Sequence, residues 1–221
     1  MQAELDGAAA GRATSKRAIC TRCLRAQSAC ICQWITPLVA RMKLLIVQHP
    51  LEVANAKNSA RLLHLSVQPS VMVVGETFDP SMLTRLLKEG GRTPVLLYPD
   101  TPGDRSLGIA SPPALDAALL AEPGKLLLVI VDATWRKSRK MLYLNPLLQT
   151  LPRFTLRAMP PSHYRIRKAH APDQLSTLEA AAYALMQLDP DPVPHSNRWQ
   201  GLLDAFDGFV WQQLRFVPAC R

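Results

Sequence analysis

The stretch Lys125-Leu-Leu-Leu-Val-Ile-Val-Asp132 decides the fold. One lysine is followed by an unbroken apolar run from Leu126 to Val131, and the run ends on a carboxylate. A strand with one wet face alternates apolar and polar residues. A run without alternation suits a strand covered on both faces, as in a parallel sheet. Shorter runs of the same kind lie upstream at Lys43–Gln48 (KLLIVQ), Val71–Val74 and Pro94–Tyr98. Helical patterns separate them. Asn55–Leu65 carries Ala56, Ala60, Leu63 and His64 at helical spacing. Asp79-Pro80 supplies an N-cap and a first-turn proline for a helix ending at Gly90-Gly91. Ser111-Pro112 opens another that stops near Pro123-Gly124. Downstream, residues 132–172 read as loop-rich. Ser176-Thr-Leu-Glu179 is a capping box for a helix running on through Ala180–Leu188. Pro190, Pro192 and Pro194 make a stiff connector to a last amphipathic helix over 197–215, with Trp199 and Trp211 assigned to the core. Strands alternating with helices predict an α/β domain with a mostly parallel sheet.

The composition agrees with one good-sized domain. The chain has 221 residues, 48% of them hydrophobic, enough for a substantial core. No apolar stretch approaches the roughly 18–20 residues of a membrane helix. Glu4 and Asp6 stand where a signal peptide would need an apolar core. The expected setting is therefore cytoplasmic, away from membranes. Residues 1–18 lack periodicity and predict a disordered tail, 19–40 a cysteine module, and 41–221 the α/β domain.

Four of the five cysteines are clustered, as Cys20-Thr-Arg-Cys23 and Cys30-Ile-Cys32; Cys220 stands alone. In a reducing compartment such thiols read as metal ligands before disulfides. Two close pairs six residues apart can close a tetrahedron round zinc, leaving no open position, so the expected role is structural. Reduced thiols without metal are the alternative, and an iron–sulfur cluster fits the spacing less well.

The charge is lopsided too. Lys and Arg number 26 against 17 Asp and Glu, a net +9. From Ala133 to Pro172 there is no acidic residue, while Arg136, Lys137, Arg139, Lys140, Arg153, Arg157, Arg165, Arg167 and Lys168 all fall there. Tyr143, Phe154, His163, Tyr164 and His170 are interleaved. Cations with scattered rings suit phosphate contacts and stacking on an unstacked base, with RNA favoured in the absence of a DNA-binding helix pattern. A solvated basic face explains Arg136 and Lys137 equally well.

Asp132 ends the central strand and precedes Ala133-Thr134-Trp135. Ligands gather beyond the carboxyl ends of parallel strands. A carboxylate there, beside a large apolar ring, can have its pKa raised and serve as a base. An N-cap for a helix starting at Ala133 is an equally good reading of the same residue.

Asp132-Ala-Thr-Trp135 with Arg136-Lys-Ser-Arg-Lys-Met141, Leu175-Ser-Thr-Leu-Glu-Ala180 downstream and the cysteine pairs upstream resembles the DTW-domain family. His49-Pro50 with Glu52, Asn58 and Arg61 resembles its early block. The resemblance spans 20 to about 188. It implies a fold related to the SPOUT methyltransferases, with a C-terminal knot. It implies a tRNA-uridine aminocarboxypropyltransferase that moves the 3-amino-3-carboxypropyl group of S-adenosylmethionine to N3 of a uridine in the tRNA variable loop, releasing 5′-methylthioadenosine. On that resemblance Asp132 is the catalytic base. Gly75, Thr77, Leu97, Tyr98, Pro99, Thr134, Trp135, Leu175, Ser176, Thr177 and Glu179 are the residues expected round S-adenosylmethionine, Glu179 being explained equally by its capping box. His49, Lys57, Arg61, Arg136, Lys137, Arg139, Lys140, Arg165, Arg167 and Lys168 are expected to meet tRNA, the protein working as a monomer. Rival readings are a SPOUT-like RNA methyltransferase, which would release S-adenosylhomocysteine, and a zinc-bearing RNA-binding module that binds no S-adenosylmethionine.

Overall fold

A computed structural model of the chain describes residues 18–99, 112–160, 162, 175–193 and 196–216. The expected tail lies outside them but for Ala18. Five strands form one sheet: β1 (Leu38–Gln48), β2 (Val67–Val74), β3 (Thr93–Leu97), β4 (Leu126–Asp132) and β5 (Arg153–Phe154). Their order is β2-β1-β4-β3-β5 and every pairing is parallel. The unbroken apolar run is the middle strand. Because all strands run the same way, Gln48, Val74, Leu97, Asp132 and Phe154 end along one edge.

Side chains alternate between the two faces of the sheet, and each face has its own core. Leu44, Ile46, Val95, Leu126, Leu128 and Ile130 pack on one side with α2 (Ala60–Ser66), α7 (Thr177–Leu188) and α8 (Gln200–Leu214). Leu45, Val47, Leu96, Leu127 and Val129 pack on the other with α3 (Pro80–Lys88), α5 (Trp135–Leu144) and α6 (Pro146–Gln149). β4 therefore carries leucines on both faces, and truncating one of them to alanine would cost about 2–5 kcal/mol. The same alternation carries Gln48 and Asp132, which are register partners, onto the α2/α7 side. The cysteine segment joins the first of these cores: Cys23 and Ile31 are buried with Trp199, Phe206 and Phe209.

Several local expectations shift. The helix expected over Asn55–Leu65 begins only at Ala60, because Asn55 and Asn58 turn the chain with their side chains, accepting from Lys57 N and Ala60 N at 3.0 Å each. A separate turn of helix, α1 (Pro50–Val53), precedes it and is capped by His49. β2 starts at Val67 and includes Pro69; among the described residues it is an edge strand that pairs with β1 alone, where a missing N–H is tolerated. The helix expected from Ser111-Pro112 is confined, among the described residues, to α4 (Ala117–Leu120), capped by Asp116. The segment read as loop-rich contains α5, α6 and β5. Its basic composition masks an amphipathic spacing in which Ser138, Met141 and Leu142 are buried. Trp211, assigned to the core, is 56% exposed with Arg215 over its ring. The expected knot depends on chain at 161 and 163–174, outside the described residues. Among the described residues no helix is long and apolar enough to cross a membrane.

Candidate active site and metal centre

Asp132 is 3% exposed. Its Oδ2 accepts from Gln48 Nε2 at 2.8 Å and Asn58 Nδ2 at 2.6 Å; its Oδ1 accepts from Thr177 Oγ1 at 2.6 Å. Each donor arrives for a local reason. Gln48 sits beside Asp132 in the ladder. Asn58 is held by the turn that delays α2, its Oδ1 accepting from Ala60 N. Thr177 is the first residue of α7, fixed by the capping box: Ser176 Oγ accepts from Glu179 N at 3.2 Å and Glu179 Oε2 accepts from Ser176 N at 2.8 Å. All three donors are neutral. Burial pushes the Asp132 carboxyl above the ordinary aspartate range; the three hydrogen bonds oppose the shift and the nearby Glu52 charge adds to it. Asp132 does not cap α5. That place belongs to Thr134, and Asp132's carboxylate turns to side chains of three other elements instead.

A cleft of about 50 Å³ opens at this carboxylate, lined by Glu52, Asn55, Lys57, Asn58, Ser59, Asp132, Ala133, Ser176 and Thr177. Of the residues expected round S-adenosylmethionine, only Ser176 and Thr177 line it. Glu179 is buried behind them, its carboxylate also accepting from Ser162 Oγ at 3.0 and 2.9 Å. Leu175 is half-buried just before the cap.

Tyr98, Pro99, Thr134 and Trp135 gather on the opposite side of the sheet edge. The Tyr98 and Trp135 rings stack with centroids 5.2 Å apart and planes 10° off parallel. Tyr98 is buried, hydrogen-bonded to Ser138 Oγ at 3.0 Å, with Arg153 against its ring. Trp135 is 47% exposed. Arg153 Nη1 donates to Pro99 O at 3.1 Å. Leu97 ends β3 and packs toward the α7 core. Gly75 and Thr77 flank Glu76 at the end of β2. A Cβ on Gly75 would come within 2.7 Å of the Phe78 ring, so close packing requires glycine there.

The expected RNA contacts divide. Lys137 Nζ reaches Glu52 Oε1 at 2.9 Å, and Lys140 Nζ reaches Glu76 Oε1 at 3.0 Å. His49 is buried. Its Nδ1 accepts from Leu51 N, so the proton of the neutral ring sits on Nε2 and points at Glu76 Oε1, 3.2 Å away. Lys140, and then His49, hold Glu76 below the usual glutamate range. Arg61 Nη2 donates to Arg22 O at 2.9 Å. Lys57 and Arg136 are exposed and Arg139 is half-buried. Arg165, Arg167 and Lys168 lie outside the described residues. Sequence reasoning missed Gln48; the signal was a polar residue ending an apolar strand level with Asp132. Glu52 and Glu76 escaped notice as partners because they lie outside the acid-free segment.

The four clustered cysteines come together: their sulfurs all lie within 4.8 Å of one another. Cys20 and Cys32 sulfurs are 3.6 Å apart, Cys23 and Cys30 sulfurs 3.8 Å. These spacings exceed a disulfide bond by far, and they match the edge of roughly 3.8 Å expected of a sulfur tetrahedron round zinc. Leu24, with φ +59°, turns the chain so that its N–H reaches Cys20 O, forming the knuckle. The donor set fits a structural zinc ion.

Three comparisons bear on this arrangement. The DTW domain matches residues 17–214. The chain is 30% identical over 183 residues to tRNA-uridine aminocarboxypropyltransferase 2 of Macaca fascicularis and 28% over 182 residues to that of Mus musculus, in each case 79% of this chain and 57% of the relative. It is 30% identical over 190 residues to the Drosophila melanogaster protein of the same name, covering 80% and 69%. The chain thus spans little more than half the length of the mammalian relatives it matches. No solved structure gives a significant match.

Proposed function

The chain belongs to the DTW-domain family, and from that premise we propose that it transfers the 3-amino-3-carboxypropyl group of S-adenosylmethionine to N3 of a tRNA uridine. The reading is supported by relatives named for this transfer. The single observation that carries the chemistry is a desolvated carboxylate at the sheet's carboxyl edge, opening on a cleft and held, among the described residues, by three neutral donors.

Uracil N3–H is a weak acid, and its nitrogen is a poor nucleophile until the proton leaves. Asp132 takes that proton. The N3 electron pair attacks the γ-carbon of the methionine moiety. The carbon–sulfur bond breaks toward sulfur, and the sulfonium charge is cancelled as neutral 5′-methylthioadenosine departs. All three carbons on a sulfonium are electrophilic, so the pocket selects the product by which carbon it aims at the base. Trp135 offers its exposed outer face for stacking with a ring of either substrate. Cations such as Arg136 and Lys57 meet tRNA phosphates, and the target base leaves its stack. Cys20, Cys23, Cys30 and Cys32 hold zinc, which supplies no reaction step and ties the N-terminal segment to the core.

The test is transfer by purified protein on unmodified tRNA, read by nucleoside mass spectrometry. Aminocarboxypropyluridine and methylthioadenosine are expected; S-adenosylhomocysteine would instead show a methyltransferase, and tRNA binding without either product a binding module. Metal analysis should find about one zinc per chain, lost on Cys20→Ser with Cys23→Ser.

A further inference from the structure

The cysteine knuckle reaches the proposed active site through one side chain. Arg25 follows Cys23 by two residues, and its backbone is fixed within the knuckle, where Arg25 O accepts from Cys20 N at 2.8 Å. Ile19 and Ala26 pair across the base of the turn. From there the guanidinium lies over the Phe209 ring of α8, 5.2 Å from its centroid. Its two terminal nitrogens fork across the turn before α2: Nη1 donates to Ala56 O and Nη2 to Asn58 O. Asn58 is the residue whose side chain donates to Asp132 Oδ2.

We propose that Arg25 is a positioning residue for the Asp132 pocket, linking metal binding at the four cysteines to the geometry of the carboxylate through the backbone of residues 56–58. The inference rests on the transfer reading for its kinetic consequence, but the linkage itself is a statement about structure. A turn of five residues, 55–59, carries one wall of the cleft, and it is irregular backbone between two helices. Such a turn keeps Asn58 aimed at Asp132 only if its own carbonyls are tied down. A planar fork with fixed donor directions does this at two carbonyls at once; a lysine ammonium on a flexible stem does not. The fork is in turn aimed by a knuckle that needs its four thiolates gathered.

The experiment compares the zinc-loaded full chain with Arg25→Met, Arg25→Lys and, as a control on the same knuckle, Arg22→Met. Methionine keeps the packing against Phe209 and removes both donors. Three quantities are read: zinc per chain, hydrogen exchange at the Ala60 amide, which donates to Asn58 Oδ1, and the split between kcat and KM for tRNA. Arg25→Met should keep its zinc, exchange the Ala60 amide about tenfold faster, and lose about tenfold in kcat with KM for tRNA nearly unchanged. Arg25→Lys should fall between, and Arg22→Met should match the parent chain in exchange and kcat. Unchanged exchange in Arg25→Met overturns the proposal. So does a rise in KM alone, which would make Arg25 a tRNA contact, or loss of zinc, which would make it part of the metal module. If the parent chain transfers nothing, the transfer reading fails while the exchange arm still decides the linkage.

Discussion

Two carboxylates near one sheet edge live under opposite conditions. Asp132, on the α2/α7 side, is buried and, among the described residues, receives hydrogen bonds from neutral groups only; burial outweighs them, so its proton is held more tightly than usual. Glu76, at the end of β2, is part-exposed and clasped by Lys140 and His49, so its proton is released more easily. The difference is instructive because sequence position alone does not separate them: both follow apolar strands. A carboxylate paired with a lysine is a clamp whose charge is already neutralised. One oriented without any cation keeps its basicity and its hunger for a proton. The proposed chemistry therefore belongs to Asp132, and Glu76 serves to anchor α5.

The largest expected break in this contrast is Asp132→Asn. Gln48 and Asn58 can still donate to the amide oxygen, and Thr177 Oγ can accept from the amide nitrogen, so the fold should survive. The rate of aminocarboxypropyl transfer should fall about 10²–10⁴-fold, as expected for losing a general base. Glu76→Gln should leave it within a few-fold. Nucleoside mass spectrometry after timed incubation with unmodified tRNA measures both. Equal losses in the two variants would erase the distinction.

Next comes Thr177→Val, which removes one neutral donor from the buried carboxylate and nothing from Glu76. A hydrogen bond to a charged group contributes about 1.5–3 kcal/mol. The variant should lose stability on that scale near neutral pH, read by urea unfolding, and less in acid, where Asp132 is protonated. Its pH–rate profile should move to higher pH, since a donor that favours the ionised form is gone.

Much of this was legible in advance. The run Leu126–Val131 announced a strand covered on both faces, and the end of that run sets Asp132 at the sheet edge. Cys20-x-x-Cys23 and Cys30-x-Cys32 announced a closed cluster, and Ser176–Glu179 its capping box. What escaped is non-local. No spacing rule brings Asn58 to a residue 74 positions away, and the stack of Tyr98 on Trp135 joins the end of β3 to the start of α5. The acid-free segment suggested a bare cationic surface because charge was counted along the chain, whereas Glu52 and Glu76 fold back onto its lysines. Trp211 failed for another reason: helical spacing marks a face, and Trp211 lies on the outer face of α8 while its neighbours Val210, Gln212 and Gln213 are buried.

The opposite proton affinities also give opposite stability trends with pH. For Asp132, whose folded pKa is raised, the favourable contribution is present below the ordinary aspartate range and is lost as pH rises through the folded value. For Glu76, whose folded pKa is lowered, the contribution is present above the ordinary glutamate range and is lost as pH falls through the folded value. Melting temperatures across acid pH should therefore show wild type losing ground to Asp132→Asn as pH rises above the ordinary aspartate range, and gaining on Glu76→Gln as pH rises toward the ordinary glutamate range from below, with no further gain above it. Parallel trends would contradict the assignment of either environment.

The smallest effects should come from the lysines of α5, and they sharpen the contrast within a single helix. Lys137 meets Glu52, whose side chain is only 6% exposed, whereas Lys140 meets Glu76 at 59% and 33% exposure. Removing the partner of a buried carboxylate costs stability, while exposed pairs contribute little. Lys137→Met should cost about 1–3 kcal/mol, discounted for the lysine's own partial exposure. Lys140→Met should leave the urea midpoint essentially in place. Their effects on tRNA should run the other way. Lys140, the more exposed cation, should reduce the salt dependence of binding by nearly one phosphate contact when replaced, and Lys137 by less. Filter-binding titrations across a salt series measure this. If Lys137→Met flattened the salt slope and spared stability, its tie to Glu52 would be giving way to RNA, and the two lysines would have to exchange the roles their burial assigns.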